Sequence, residues 1–434
     1  MGNERLDLLV EQLNSASKAQ RLQALREIKL LIDQGVIPQP VRGVDVNNHI
    51  HSIYSFSPYS PTKAVFRSWE SGLTTTGIMD HDSISGAEEF VEAGLILGMP
   101  TTVGAEMRVS FAGTCLEGRR MNNPDQLTVT YIALHGIPHT AIPELKRFFA
   151  PVSKARGVRN RAMLKRINEL LSNAGVAVDY DQDVLPISMA HEGGSVTERH
   201  LLFAVAKKLT ARFGRGPELV SFLEQSLSLP VTGKAREFLL DAANESYEYD
   251  LLNVLKGNMV EQFYIPASDE VPPVSEVAAL AERLGIVFAY PYLGDIAESV
   301  TGDKKAQLFE DTFLDELFDT IRDQGFKAVT YMPSRNTPAQ LARLRGLCEK
   351  YGFFQISGED INQPRQKFIC EAMRKPEFSN LYDAAWALIG HELSATADAA
   401  RGLFSPDILR QFPTLDERIV YFKDYALKCA AQPR

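Results

Sequence analysis

Apolar residues recur at helical spacing through the first forty positions. Leu6, Leu9, Val10 and Leu13 form one stripe, and Leu22, Leu25, Ile28 and Leu31 form another. Gly35 and Pro38 close that stretch, as helix-ending residues do. From Arg42 the pattern shortens. The β-prone runs VDVNNHIHS, TTGIMDHDS, TTVGAEMRVSF and LTVTYIALHGI alternate with helical stretches, such as the one carrying Ala64, Val65 and Trp69. Mostly helical sequence follows from about residue 144, and the alternation returns in GIVFAYPY, KAVTYMP and FFQISGED. Alternating β and α elements predict an α/β fold with a mainly parallel sheet or barrel. The expected organisation is an N-terminal helical extension (1–40), two barrel parts (41–143 and 276–370), a mostly helical insert between them (144–275) and C-terminal helices (371–434).

Composition narrows the function classes. The 434 residues are 45% hydrophobic, enough to bury a large core. A net charge of −9 argues against a broad grip on duplex nucleic acid and leaves room for a local basic pocket around one phosphate. No apolar run reaches the ~20 residues of a membrane span. Cys115, Cys348, Cys370 and Cys429 are scattered, without a C-x-x-C pair, which fits a reducing compartment; the expected location is the cytoplasm. A G-x-x-x-x-G-K-[ST] loop, a G-x-G-x-x-G after a strand and a G-x-S-x-G elbow are all absent.

The histidines carry the chemistry. His49 and His51 form H-x-H at the end of the first strand, where a spacing of two puts both rings on one face. Barrel chemistry sits at the C-terminal ends of strands, and paired imidazoles there suit a divalent metal. His81 follows the second strand in D-H-D, where a neighbouring carboxylate orients the ring. Glu106 ends the third strand, and a buried carboxylate is costly unless it is paired or ligates a metal. His135 ends the fourth strand in YIALHG, and Asp360 ends the last in SGEDIN. These are six metal-capable residues at five strand ends.

In this order of motifs the chain resembles the PHP family, named for polymerase and histidinol phosphatase, over roughly residues 42–370. The resemblance implies a distorted (β/α)7 TIM-like barrel, the PHP fold, with a cluster of up to three metal ions at its mouth. It implies that His49, His51 and Glu106 form one metal position, that Asp360 is the metal-binding Asp of the family's terminal G-S-D-x-H, that Glu106 bridges to a second metal with His135, and that His81 belongs to a third. The insert resembles one branch of the family through Arg159-Asn160-Arg161 and Arg199-His200. In that branch the insert covers the site, and the known substrates include nucleoside phosphates and short oligonucleotides.

Three positions depart from the family pattern: Tyr290 and Asn362 stand where it has histidines, and Phe56 where it has an acidic residue. His191, in the insert, and Tyr290 are the candidates to replace the lost ligands. The cofactor expected is therefore one divalent ion, with a second if those residues serve. Mixed imidazole and carboxylate ligands suit manganese, zinc or iron.

The activity implied is hydrolysis of a small phosphate ester (a nucleotide, short oligonucleotide or sugar phosphate) by metal-activated water. Arg199, Arg335 and Arg365 would hold the phosphate, and His200 would bind it or protonate the leaving group. The alternative is a degenerate relative that binds a phosphorylated ligand with little catalysis. Metal-dependent hydrolysis of a carbon–nitrogen bond is a third class, less favoured because the insert is rich in arginine. No feature of the pattern sets an oligomeric state.

Overall fold

A computed structural model describes residues 2–295 and 308–431. Two amphipathic helices, α1 (Gly2–Gln12) and α2 (Lys18–Asp33), precede the sheet. Then come β1 (Val46–Ile50), α3 (Pro61–Glu70), β2 (Thr75–His81), α4 (Ala87–Leu97), β3 (Thr101–Ser110) and β4 (Val129–His135). Five helices follow β4 in the insert: α5 (Ile142–Leu170), α6 (Glu198–Phe213), α7 (Pro217–Gln225), α8 (Gly233–Leu240) and α9 (Tyr247–Phe263). The second run is α10 (Val274–Leu284), β5 (Val287–Pro291), α11 (Leu314–Asp323), β6 (Ala328–Thr330), α12 (Pro338–Tyr351) and β7 (Phe354–Ile356). Three helices end the described chain: α13 (Ser379–Ala397), α14 (Pro406–Gln411) and α15 (Leu415–Ala431). Residues 296–307 and 432–434, which fall in the expected second barrel part and C-terminal helices, lie outside the described residues.

The strands form one mixed sheet whose spatial order is its chain order, β1 to β7. All neighbours pair in parallel except β3–β4 and β4–β5, so β4 alone runs against the others. The sheet curls until its two edges meet. His51 N donates to Ile361 O at 2.9 Å, and Ile361 N donates to His49 O at 3.1 Å. The segment after β7 is thereby tied to the end of β1.

Strand alternation sorts the side chains into two layers. Val103, Ala105, Met107, Phe288, Tyr290 and Val329 face the helices packed on the outside. The opposite, inner face carries Glu106 and, in register with it across the sheet, the small residues Ala133, Ala289 and Ala328, which pack with Ala384, Ala387 and Leu388 of α13. Gly390 of α13 meets α15 so closely that a Cβ there would stand 1.9 Å from the Phe422 carbonyl oxygen. A separate apolar cluster joins α5–α9, and Phe56 from the turn after β1 enters it. Among the described residues no helix is long and apolar enough to cross a membrane.

The N-terminal helices are fastened by a buried ion pair. Arg21 of α2 donates through Nε to Glu89 Oε1 at 2.8 Å and through Nη2 to Oε2 at 2.5 Å. Glu89, on α4, also accepts from Thr62 Oγ1 at 2.6 Å. Removing one partner of such a pair strands a buried charge. Arg21→Ala should therefore lower the stability of the fold by about 3–5 kcal/mol, read as a lower urea midpoint. A midpoint unchanged from the parent would show that the pair carries no such role.

Candidate active site

The site starts from the turn that follows β1. Ser52 N and Ser55 Oγ each donate to Asp80 Oδ1 at 2.7 Å, and Ser52 Oγ donates to Oδ2 at 2.6 Å. Asp80 is buried, which raises its pKa; the serine hydrogen bonds and His51 work in the opposite direction. Ser55 spends its proton on Asp80, so its oxygen accepts from His51 Nδ1, 3.3 Å away. That places a proton on His51 Nδ1 and turns Nε2 towards the site.

His51 Nε2 lies 3.2 Å from His49 Nε2 and 3.1 Å from Asp360 Oδ1. Glu106 sits level with His81 in the β2–β3 register. Its Oε1 is 3.3 Å from His49 Nε2, and its Oε2 is 3.4 Å from His81 Nδ1. The His81 ring stacks on His51 with centroids 4.7 Å apart. One ligand atom from each of His49, His51 and Glu106 falls within 4.8 Å of the others.

Electrostatics at this point favour positive charge. Burial works against charging His49, but Glu106 and Asp360 prevail and push it up to about 9. Burial would raise Glu106, yet His49 and His81 bring it down to about 2. Asp360 is held well below the usual carboxylate range by its bond to His51, again against burial. His81 is pushed down to about 3, by burial and then by His51. Two carboxylates and three imidazoles thus converge on one small space at the mouth of the sheet. The donor set fits a divalent cation, which neutralises such a group without needing protons. His49, His51, Glu106 and Asp360 would hold it, with His81 beside them.

The remaining candidates are placed differently. His135 faces inward, but on an antiparallel strand its end lies away from the mouth. It pairs with Val287, the first residue of β5, whereas Glu106 pairs with Ala133. Its Nε2 is buried without a hydrogen-bond partner, and burial pushes the ring down to about 3. Tyr131, two steps nearer the mouth on the same face, stands beside the group instead, its ring 5.7 Å from His81. Alternation along β4 would have revealed Tyr131 once the strand's direction was known.

His191 is exposed, with Glu192 3.6 Å away. Tyr290 points to the outer layer against Phe326 rather than to the metal group. Asn362 donates to Asp360 Oδ1 at 2.7 Å. Phe56 packs edge-on against His200, centroids 5.0 Å apart.

A cavity of about 220 Å3 opens over the group and is lined on the insert side by Arg156, Glu198 and Arg199. Arg199 Nη1 is buried without a hydrogen-bond partner. His200 is buried at the first turn of α6, where its Nδ1 accepts from Thr197 N at 3.0 Å, and burial pushes it down to about 3. Arg365 spends its donors on the insert: Nη2 reaches Asp250 Oδ2 and Asn244 Oδ1, both at 2.9 Å. Arg335 Nε donates to Leu293 O at 3.4 Å, on the loop that forms another cavity wall. Arg159 is buried in ion pairs with Glu270 and Glu198, while Arg161 pairs with Asp181 at the surface. Arg156 was not among the residues expected from sequence. Nothing in the amphipathic pattern of α5 separates it from the other arginines there.

The loop after β5 is pinned by Glu310, whose Oε1 accepts from Leu293 N at 2.9 Å and Gly294 N at 3.4 Å. Burial raises this carboxyl to about 7.

Neither a family model nor a curated protein matches the sequence. Solved structures do. An amidohydrolase from Chromobacterium violaceum, with bound sulfate and no metal, aligns at TM-score 0.50 and 16% identity over 75% of this chain and 90% of that one. A protein from Bifidobacterium adolescentis, provisionally assigned as a metal-dependent phosphoesterase, aligns at TM-score 0.49 and 19% identity over 78% of this chain and 96% of that one. The Chromobacterium likeness shows a shared fold.

Two outcomes follow from this geometry. Elemental mass spectrometry of protein reconstituted with manganese, zinc or iron should find a tightly held divalent ion that is missing from His49→Ala; equal metal content in both proteins would contradict the assignment. Glu310 titrates near 7 when folded and near 4.3 when unfolded, so the folded state binds the extra proton between those values. Its contribution to stability therefore falls as pH rises from about 4.3 to about 7. Glu310→Gln should flatten that part of the stability profile in urea titrations. Parallel profiles would show that Glu310 ionises as an ordinary carboxyl.

Proposed function

We propose that the chain is a metal-dependent phosphoesterase of the PHP type, on a distorted (β/α)7 barrel, that hydrolyses a small phosphate ester. The observation that carries this reading is the convergence of His49, His51, Glu106 and Asp360 at the mouth of the curled sheet. A divalent ion held there would supply Lewis-acid polarisation of an ester oxygen and acidify a water molecule.

The chain's own residues do the rest. The Asp80–Ser55–His51 relay keeps His51 Nε2 facing the site. Arg199, with an unbonded buried Nη1, faces the cavity and is suited to a phosphate oxygen. His200 caps the first turn of α6, the helix that carries Arg199, and Arg365 clasps the insert through Asp250. The insert thereby forms one wall of the opening.

A carbon–nitrogen bond is the competing target, because the Chromobacterium neighbour is described as an amidohydrolase. The two guanidinium groups on the cavity wall, Arg156 and Arg199, favour phosphate.

The test is a panel of nucleotides, short oligonucleotides, sugar phosphates and amides offered to the metal-loaded protein. Turnover of a phosphate ester is expected, and His51→Ala should lower kcat/KM by at least about 100-fold, since losing a ligand costs more than losing a residue that orients one. Turnover of amides alone would replace the phosphoesterase reading with carbon–nitrogen hydrolysis. Binding of phosphate esters without turnover would replace it with a ligand-binding role.

A further inference from the structure

The geometry points to Arg156 as the residue that receives the anionic group of the substrate, through a guanidinium locked in place before the substrate arrives. This rests on the phosphoesterase reading and names a contact within that site.

Arg156 lies on α5 and is 4% exposed. Nη1 pairs with the Asp82 carboxylate and donates to Ser195 Oγ at 3.1 Å, while Nε is directed at Glu270 Oε1, 3.3 Å away. Among the described residues Nη2 has no hydrogen-bond partner, and Arg156 lines the cavity together with His81 and Glu106. Three of the five N–H donors of the guanidinium are thus engaged by the protein, and the two on Nη2 are left for the cavity.

The device that holds it is anchored at the metal group. Asp82 is the residue after His81, so their Cα atoms are about 3.8 Å apart. Its φ is 48°, a left-handed conformation unusual for a residue other than glycine. Asp82 N donates to Glu106 O at 2.7 Å, which ties this turn to the strand bearing the Glu106 carboxylate. Asp82 Oδ1 is buried without a partner. A strained backbone and an unsatisfied buried oxygen are both costs, and a purely structural tie between insert and sheet needs neither.

The surrounding charges single out Arg156. Arg108, Arg156 and Arg159 face Glu270, Asp82 and Glu198 in one buried network of equal and opposite formal charge. Arg159 divides its donors among Glu270, Glu198 and the Ile265 carbonyl, and Arg108 is directed at Glu270 and Tyr264. Of the three, Arg156 lines the cavity. Glu198 also borders it, but Arg159 Nη2 holds that carboxylate at 2.5 Å, which offsets its repulsion of an incoming anion. An arginine whose fork is fixed in advance loses little freedom when it binds a phosphoryl oxygen.

The test measures inorganic phosphate binding to manganese-loaded protein by calorimetry, in the parent and in Arg156→Lys. Metal content and thermal unfolding are followed alongside. The lysine keeps the charge and loses the Nη2 donor. The expected result is a phosphate Kd raised at least about tenfold, with metal content unchanged, and a higher KM for the phosphate ester. An unchanged Kd in a folded, metal-loaded variant overturns the inference. If Arg156→Lys does not fold, the parent protein crystallised with manganese and phosphate decides: an oxygen within hydrogen-bond distance of Nη2 supports the assignment, and phosphate bound elsewhere, or not at all, overturns it. A parent protein that turns over phosphate esters while Arg156→Lys binds phosphate normally removes this inference alone. A parent that neither binds phosphate nor hydrolyses its esters removes the phosphoesterase reading with it.

Discussion

The Glu106 carboxylate lies buried on the inner face of the sheet, with His49 Nε2 at 3.3 Å and His81 Nδ1 at 3.4 Å. An isolated buried carboxylate would cost several kcal/mol, so something positive must stand against it. Most of what surrounds Glu106 answers that demand. The H-x-H of β1 brings two imidazoles to it, and the bridge between Ile50 and Ile361 brings Asp360 to His51. Asp80, through Ser55, then decides which nitrogen of His51 faces inward. Each of these groups would be unfavourable alone in that space. Together they offer the donor set that the proposed divalent cation would take.

The sheet and the insert make complementary contributions. Parallel strands present candidate ligands at one end, while β4, running the other way, brings Tyr131 there and sets His135 deeper on the same face, where its ring still feels His49 and Glu106. Helices α5 to α9 share their own apolar cluster and meet the site through charge rather than apolar packing alone. Arg156, Arg159 and Arg108 meet Asp82, Glu198 and Glu270 where α5, α6, β3 and the turn after β2 approach one another. Phe56 adds an apolar tie, from the turn after β1 to His200 and Phe203 of α6. The wall of the cavity is therefore coupled to the same turns that hold the imidazoles.

Much of this was legible in the sequence for a simple reason. A period of two puts His49 and His51 on one face whatever the rest of the chain does, and each of the seven β-prone runs contains one of the seven strands. Strand direction was less legible, because a single strand's pattern is the same read either way. That is why His135 was expected at the mouth, where Tyr131 is found. Pairing across long separations was also hidden. Arg365 and Asp250 are 115 residues apart, and only the folded chain shows that the arginine serves the insert. Likewise, the positive φ of Asp82 and its grip on Arg156 follow from the meeting of α5 with the turn after β2, which no local window contains.

The central claim is that His49, His51, Glu106 and Asp360 hold a divalent ion at the mouth of the curled sheet. Anomalous diffraction from crystals of manganese-loaded protein, recorded across the metal's absorption edge, tests it most directly. The account predicts a peak within coordination distance of His49 Nε2, His51 Nε2 and carboxylate oxygens of Glu106 and Asp360. A peak held by other residues, or none at this group in protein shown to contain the metal, would contradict it.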